Sequence, residues 1–182
     1  MELLGDHIEE INEIVNPSDN PDDEFNILGI SNKIGVFENE TMQGDQIKQK
    51  YKRVHSKQLV YNPHRVNVGS IGLVTEELDG GYVSNIYIVF KSKNEGMPPE
   101  YILSILKSPT YKRIIEAYDT KYGAVRANLT YEQLCKIRIP VLPDEKRKEF
   151  IFKQQQLESL NKELQKSRSA LNRYVKELTT ED

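Results

Sequence analysis

Along this chain the spacing of hydrophobic and polar positions changes several times, and each change predicts an element. Ile8, Ile11, Ile14 and Val15 fall at helical spacing, which predicts a short amphipathic helix over Leu4–Val15. Asn16–Glu24 (NPSDNPDDE) is turn-rich and acidic, so it reads as a loop. Phe25–Ile30 and Ile34–Phe37 read as short strands parted by Ser31-Asn32, and Val66–Val74 (VNVGSIGLV) as a glycine-interrupted strand. Tyr82–Phe90 (YVSNIYIVF) is the strongest strand signal. Both of its faces are mostly apolar, which predicts a central strand covered on both sides. Gly80-Gly81 lies between those last two runs and predicts a hairpin. Pro99–Tyr118 has helical spacing around Pro109, Thr130–Leu134 reads as a short helix, and Lys136–Val141 (KIRIPV) alternates as a strand.

From Asp144 onward neither Gly nor Pro occurs, and the period becomes a heptad. Phe150, Leu157, Leu160, Leu164, Leu171, Tyr174 and Leu178 form one seam, with Lys153 and Ser167 at its two polar positions. The predicted class is therefore α+β. A globular domain over 1–143, with a mixed or antiparallel twisted sheet and short helices, precedes one long coiled-coil helix over 144–182. A narrow apolar stripe needs a partner to bury it. That partner is either a second helix or the chain's own domain, and the length of the stripe favours the second helix.

Composition adds bounds. The 182 residues suit one domain with an appendage. The net charge of -3 excludes a uniformly basic nucleic-acid binder. Its distribution is uneven, however. Residues 1–45 hold twelve acids and a single base, Lys33, whereas residues 46–75 hold no acid and six bases. Such a window sets the local field an incoming polyanion meets, or it is simply a solvated face balancing the acidic segment. The longest uncharged stretch, Gly80–Phe90, is 11 residues, well short of the roughly 20 a membrane helix needs. With one cysteine, Cys135, and no secretory signal pattern, the chain reads as soluble and cytoplasmic.

Catalytic constellations are scarce. Three histidines (His7, His55, His64) and one cysteine show no paired ligand spacing, so neither a metal nor another cofactor is expected. No GxSxG, phosphate-binding loop or GxGxxG is present. Gly69-Ser70-Ile71-Gly72 is only a GxxG spacing, read first as strand bending and second as close backbone approach. Asn62-Pro63-His64-Arg65 lacks the second proline and the aromatic with which adenine-N6 methyltransferases hold a flipped base. Pro143-Asp144-Glu145-Lys146 has nuclease letters at collapsed spacing.

What remains suits binding. Lys48, Lys50, Lys52, Arg53 and Lys57 supply charge for DNA phosphates. Tyr61, Asn62, His64, Arg65 and Asn67 place planar or forked groups around a turn, and Arg and Asn form bidentate contacts with guanine and adenine edges. Arg126 and Asn128 form a second polar cluster. The alternatives there are an internal salt bridge for Arg126 and a helix cap for Asn128.

The order LGDHIEEIN, YKRV…QLVYNPHRVNVGSIGLV, GYVSNIYIVF, GAVRANLTYEQLCKIRIPVLP and a heptad helix resembles specificity subunits of type I restriction–modification systems. More narrowly, it resembles one target recognition domain with its attached helix, over about Leu4–Leu178. The resemblance implies a non-catalytic, sequence-specific reader of double-stranded DNA. It would act beside an adenine-N6 methyltransferase subunit and a translocating endonuclease subunit, to which base flipping and cleavage would belong. Members of the family usually carry two recognition domains and two helices, so this chain is half of the usual molecule. Half a molecule with an exposed seam implies an antiparallel homodimer reading a symmetric, interrupted site, or pairing with a longer specificity subunit. Two other readings remain open. One is a detached recognition segment of a fused methyltransferase–nuclease; the other is a coiled-coil scaffold or antirestriction mimic built on the acidic first 45 residues.

Overall fold

The longest ladder joins β4 (Glu24–Ser31) to β5 (Gly35–Gln43), antiparallel, with a register shift between Ile27 and Leu28. This is the strand pair expected from Phe25–Ile30 and Ile34–Phe37: β4 is longer by one residue at each end, whereas β5 leaves Ile34 in the turn and continues past Phe37 to Gln43. The structure is a computed structural model describing residues 1–93, 96–120 and 128–179, and it divides into Met1–Val141 and Leu142–Asp182. In the first unit, a five-stranded sheet has the order β3 (Ile14–Val15), β6 (Tyr51–Arg53), β9 (Tyr82–Ser84), β4, β5. Only its β4–β9 pair is parallel. A four-stranded antiparallel sheet has the order β2 (Ile8–Ile11), β10 (Ile88–Ser92), β7 (Leu59–Tyr61), β8 (Ile71–Leu73). A third, two-stranded ladder pairs β1 (Glu2–Leu3) with β11 (Arg138–Ile139).

One buried cluster draws on both larger sheets: Leu28, Val36 and Val83 from the first, Val60 and Val89 from the second, with Val54 and Val74 from the connections. The core therefore sits between the sheets, and its valines suit the pleated surfaces they cover.

Four sequence expectations are corrected here. Leu4–Val15 is not a helix: after a 3-10 turn at Leu4–Asp6 it forms β2 and β3, separated at Asn12-Glu13. Its helix-like spacing arises because the segment passes from one sheet to the other partway along. Tyr82–Phe90 is likewise two strands. Tyr87 N–H donates to the Ser84 carbonyl, a turn that leaves Ile86 exposed and hands the chain from β9 to β10. Each fragment does occupy an interior position in its own sheet. Val66–Val74 opens with a 3-10 turn at Val66–Val68, ended by Gly69 at φ +89°, so only Ile71–Leu73 is strand. Finally, β8 pairs with β7 upstream, so no hairpin crosses Gly80-Gly81.

Pro99–Tyr118 divides into α1 (Pro99–Lys107) and α2 (Pro109–Thr120) at Ser108, whose extended backbone is what a following proline demands. α3 (Tyr131–Cys135) starts at Thr130, which forms a complete capping box with Gln133. The cap is thus Thr130 and not Asn128. The expected strand over Lys136–Val141 shortens to β11. In the second unit, α4 runs Asp144–Thr179, about 54 Å at 1.5 Å per residue. Among the described residues no helix is long and apolar enough to cross a membrane.

Candidate nucleic-acid interface

The turn predicted at Asn62-Pro63 is the best-defined loop of the first unit. It leaves β7 at Tyr61 and returns to β8 through its own hydrogen bonds. Asn62 N–H donates to the Ser70 carbonyl, Ser70 N–H to the Arg65 carbonyl, and Arg65 N–H to the Asn62 carbonyl. Two side chains complete it: the Asn62 Oδ1 accepts from His64 N–H at 3.0 Å, and the Asn67 Oδ1 accepts from Val68 N–H at 2.9 Å. Asparagine commonly mimics a backbone turn in this way. Asn62 therefore shapes the loop with the atom a bidentate adenine contact would need. His64 and Arg65 are exposed on it, and Asn67 is half-buried.

Tyr61 is corrected. Its side chain is 0% exposed, packs edge-on against Phe90 and donates its hydroxyl to the Leu129 carbonyl at 3.0 Å. Burial raises its pKa strongly, so the phenol stays a neutral internal donor. It supports the loop from beneath and cannot meet a base. Leu129 N–H in turn donates to the Pro63 carbonyl. Both backbone groups of Leu129 are thus held by the 61–63 segment, which brings exposed Asn128 beside the Asn62–Arg65 turn, as neighbours far apart in sequence. Arg126 lies outside the described residues.

A second segment abuts this loop. At the tip of the β4–β5 hairpin, Ile34 N–H donates to Ser31 Oγ at 3.1 Å, and Gly35 adopts φ +77°. The hairpin base crosses β8 closely enough that a Cβ on Gly72 would lie 2.5 Å from Val36 N and 2.9 Å from Gly35 Cα. Close backbone approach, the second reading of the GxxG spacing, is what Gly72 serves. A Cβ at Gly69 would lie 3.5 Å from the Asn32 Cβ, so the tip and the loop are adjacent. Asn32, Lys33 and Ile34 are exposed there, Ile34 at 68%, and Val68 on the loop is 49% exposed. The apolar run assigns Ile34 to the second strand, whereas the structure leaves it in the turn before β5. The one available signal was Lys33, the lone base of the acidic first 45 residues, placed at a turn.

The acid-free window is dispersed in space. Lys48 and Lys50 are exposed before β6, Lys57 is exposed (φ 65°) before β7, and Arg65 lies beyond the other end of β7. Lys52 is corrected as a phosphate contact. It is 6% exposed, its Nζ donates to the Tyr87 carbonyl at 2.8 Å, and burial lowers its pKa despite the opposing pull of Glu10. Arg53 is exposed beside Asp79. Asp79 accepts from Ser56 N–H at 2.7 Å, the main reason its pKa is lowered, with His55 and Arg53 adding to the effect. His55 also meets Glu13 at 3.2 Å. Carboxylates distant in sequence thus surround the middle of the window, while its two ends remain cationic.

No cluster of His, Cys, Asp and Glu that could hold a metal occurs among the described residues. Cys135 is half-buried against Gly5, with its thiol pushed up in pKa by burial. Such a thiol is a poor nucleophile.

On α4 the seam residues Leu157, Leu160, Leu164, Leu171, Tyr174 and Leu178 are each at least half exposed, and Phe150 is half-buried. Phe152 and Val175 add apolar surface beside them. Near the start of the helix Arg147 pairs with Asp144 at 3.0 Å and Lys153 with Glu149 at 2.6 Å.

No protein-family profile and no curated protein sequence matches this chain. Solved structures do. The HsdS subunit from Thermoanaerobacter tengcongensis superposes with a TM-score of 0.70 at 20% identity, over 96% of this chain and 46% of that one. A chain from a structure described as the basis of complex assembly and conformational transition of the type I R-M system gives 0.69 at 19% identity, over 97% and 46%. The chain spans just under half the length of both. It has the α+β fold of these HsdS-type chains over just under half of their length: an α+β unit followed in sequence by one long helix.

Proposed function

We propose that this chain is a non-catalytic specificity component of a type I restriction–modification complex, reading one DNA half-site per copy. The observation that carries the proposal is the likeness to HsdS over nearly the whole chain, recognition fold and helix together. Arg65 and His64, exposed on the tied loop, and exposed Asn128 beside it are the main base-reading candidates; Asn67 joins them through its amide Nδ2, since its Oδ1 accepts from Val68 N–H. Lys48, Lys50 and Lys57 remain as phosphate contacts, and Arg53 contributes in competition with Asp79. Adenine methylation and cleavage belong to partner subunits, so the chain alone transfers no methyl group. A dimer formed through α4 supplies the second reader that HsdS carries within one chain, and the exposed seam supports it. An antiparallel pair of identical chains reads an interrupted palindrome.

A salt titration on duplex DNA tests the DNA-reading claim. Affinity falls steeply with salt, and Lys50→Ala reduces the log–log slope by about 0.9, the share of one phosphate contact. Arg65→Ala instead relaxes the preference between sequences. Binding that ignores salt contradicts the proposal and favours the acidic-mimic reading.

A further inference from the structure

We infer that the β4–β5 hairpin tip, Asn32-Lys33-Ile34, is a second DNA-reading element that works jointly with the Asn62–Gly69 loop. The inference rests on the DNA-reading proposal and extends it to residues without any other assigned role.

Three observations carry it. First, the tip is held in place. The Ser31–Ile34 hydrogen bond closes the turn, Gly35 takes a left-handed conformation, and the Gly35–Gly72 crossing fastens the hairpin, just behind its tip, to the strand that follows the loop. A reading element must be so fixed, since base edges are distinguished by groups placed within hydrogen-bonding tolerance. Second, the tip and the loop make one surface, because Asn32 lies against Gly69. Third, the chemistry of that surface fits a base edge next to a phosphate. Neither Ser31–Gly35 nor Asn62–Gly69 contains an acid, although the chain is net negative. The surface presents the cations Lys33 and Arg65, the amides of Asn32 and Asn67, and the exposed methyl groups of Ile34 and Val68.

Duplex DNA is the occupant these groups suit. Lys33 pairs with a backbone phosphate. Ile34, two-thirds exposed at a tip closed by its own hydrogen bond, packs on the C5-methyl of a thymine, the one apolar group in the major groove. This separates the two residues by role: Lys33 anchors and Ile34 specifies.

The test is selection of the full-length protein on a library of duplexes randomised over 20 base pairs, followed by salt titration on the enriched sequence. The wild type enriches a defined sequence. Ile34→Ser loses the preference at one position, by roughly tenfold, and leaves the salt slope unchanged. Lys33→Ala keeps the base preferences and lowers the slope by about 0.9. Both side chains are exposed, so urea midpoints stay at the wild-type value and confirm intact folds. If Ile34→Ser enriches the same sequence with the same weights, the hairpin does not read bases and the inference is overturned, while the DNA-reading proposal stands. If the wild type itself enriches nothing, the DNA-reading proposal fails and takes this inference with it.

Discussion

Lys52 lies within a basic run, yet its ammonium is turned inward onto the Tyr87 carbonyl at the point where β9 gives way to β10. Removing it leaves that carbonyl without its donor and a gap under the chain crossing, so Lys52→Ala costs about 1–3 kcal/mol of stability. Denaturant titration should record that loss while the salt slope of DNA binding stays at the wild-type value. A slope lowered by one contact with stability intact would return Lys52 to the phosphate set. Asp79 supports a pH prediction. Its pKa is lowered in the fold, by the Ser56 N–H first and then by His55 and Arg53. The unfolded chain therefore binds the proton more readily. The stabilisation is complete above the ordinary carboxylate pKa and disappears as pH falls through the lower folded value. Asp79→Asn keeps an acceptor for Ser56 but has no charge. Wild type should exceed it in urea midpoint near neutrality, and the two should converge in acid.

At the scale of elements, Gly72 joins the hairpin to β8, and a Cβ there would meet backbone, which cannot rotate away. Gly72→Ala should lower stability by about 1–3 kcal/mol, the usual cost of overpacking, with a thermal midpoint lowered accordingly. An unchanged midpoint would mean that the crossing is loose. Elements defined by local signals were legible in the sequence: the β4–β5 pair from its two apolar runs around Ser31-Asn32, α3 from its short run although its cap is Thr130 rather than Asn128, and α4 from four heptads without Gly or Pro. The two chain crossings were not legible: at Asn85-Ile86 a two-residue period looks the same whether the strand stays in one sheet or turns into another, and at Asn12-Glu13 the break between β2 and β3 left a spacing that resembles a helix. Of the candidate site, the Asn62-Pro63 turn was readable because proline restricts its neighbours. The inward direction of Tyr61 and Lys52 was not, since burial of a long polar side chain depends on a partner carbonyl contributed from elsewhere in the chain. Ile34 was read as the start of the second strand, since an apolar residue next to an alternating run looks the same whether it pairs or sits in the turn, and Lys33 stood out by charge alone.

For the whole molecule, the exposed part of the α4 seam, Leu157 to Leu178, is the surface the proposed dimer would bury. Leu164→Lys places a charge in the middle of that seam. The wild type should sediment as a dimer at tens of micromolar and the variant as a monomer, with helix content of the first unit preserved. The most direct test of the central claim is the sequence enriched by the full-length protein from randomised duplexes. Two identical readers paired through α4 should enrich two inverted copies of one short motif at a fixed separation. Enrichment of a single unrepeated motif, or of none, would contradict the account.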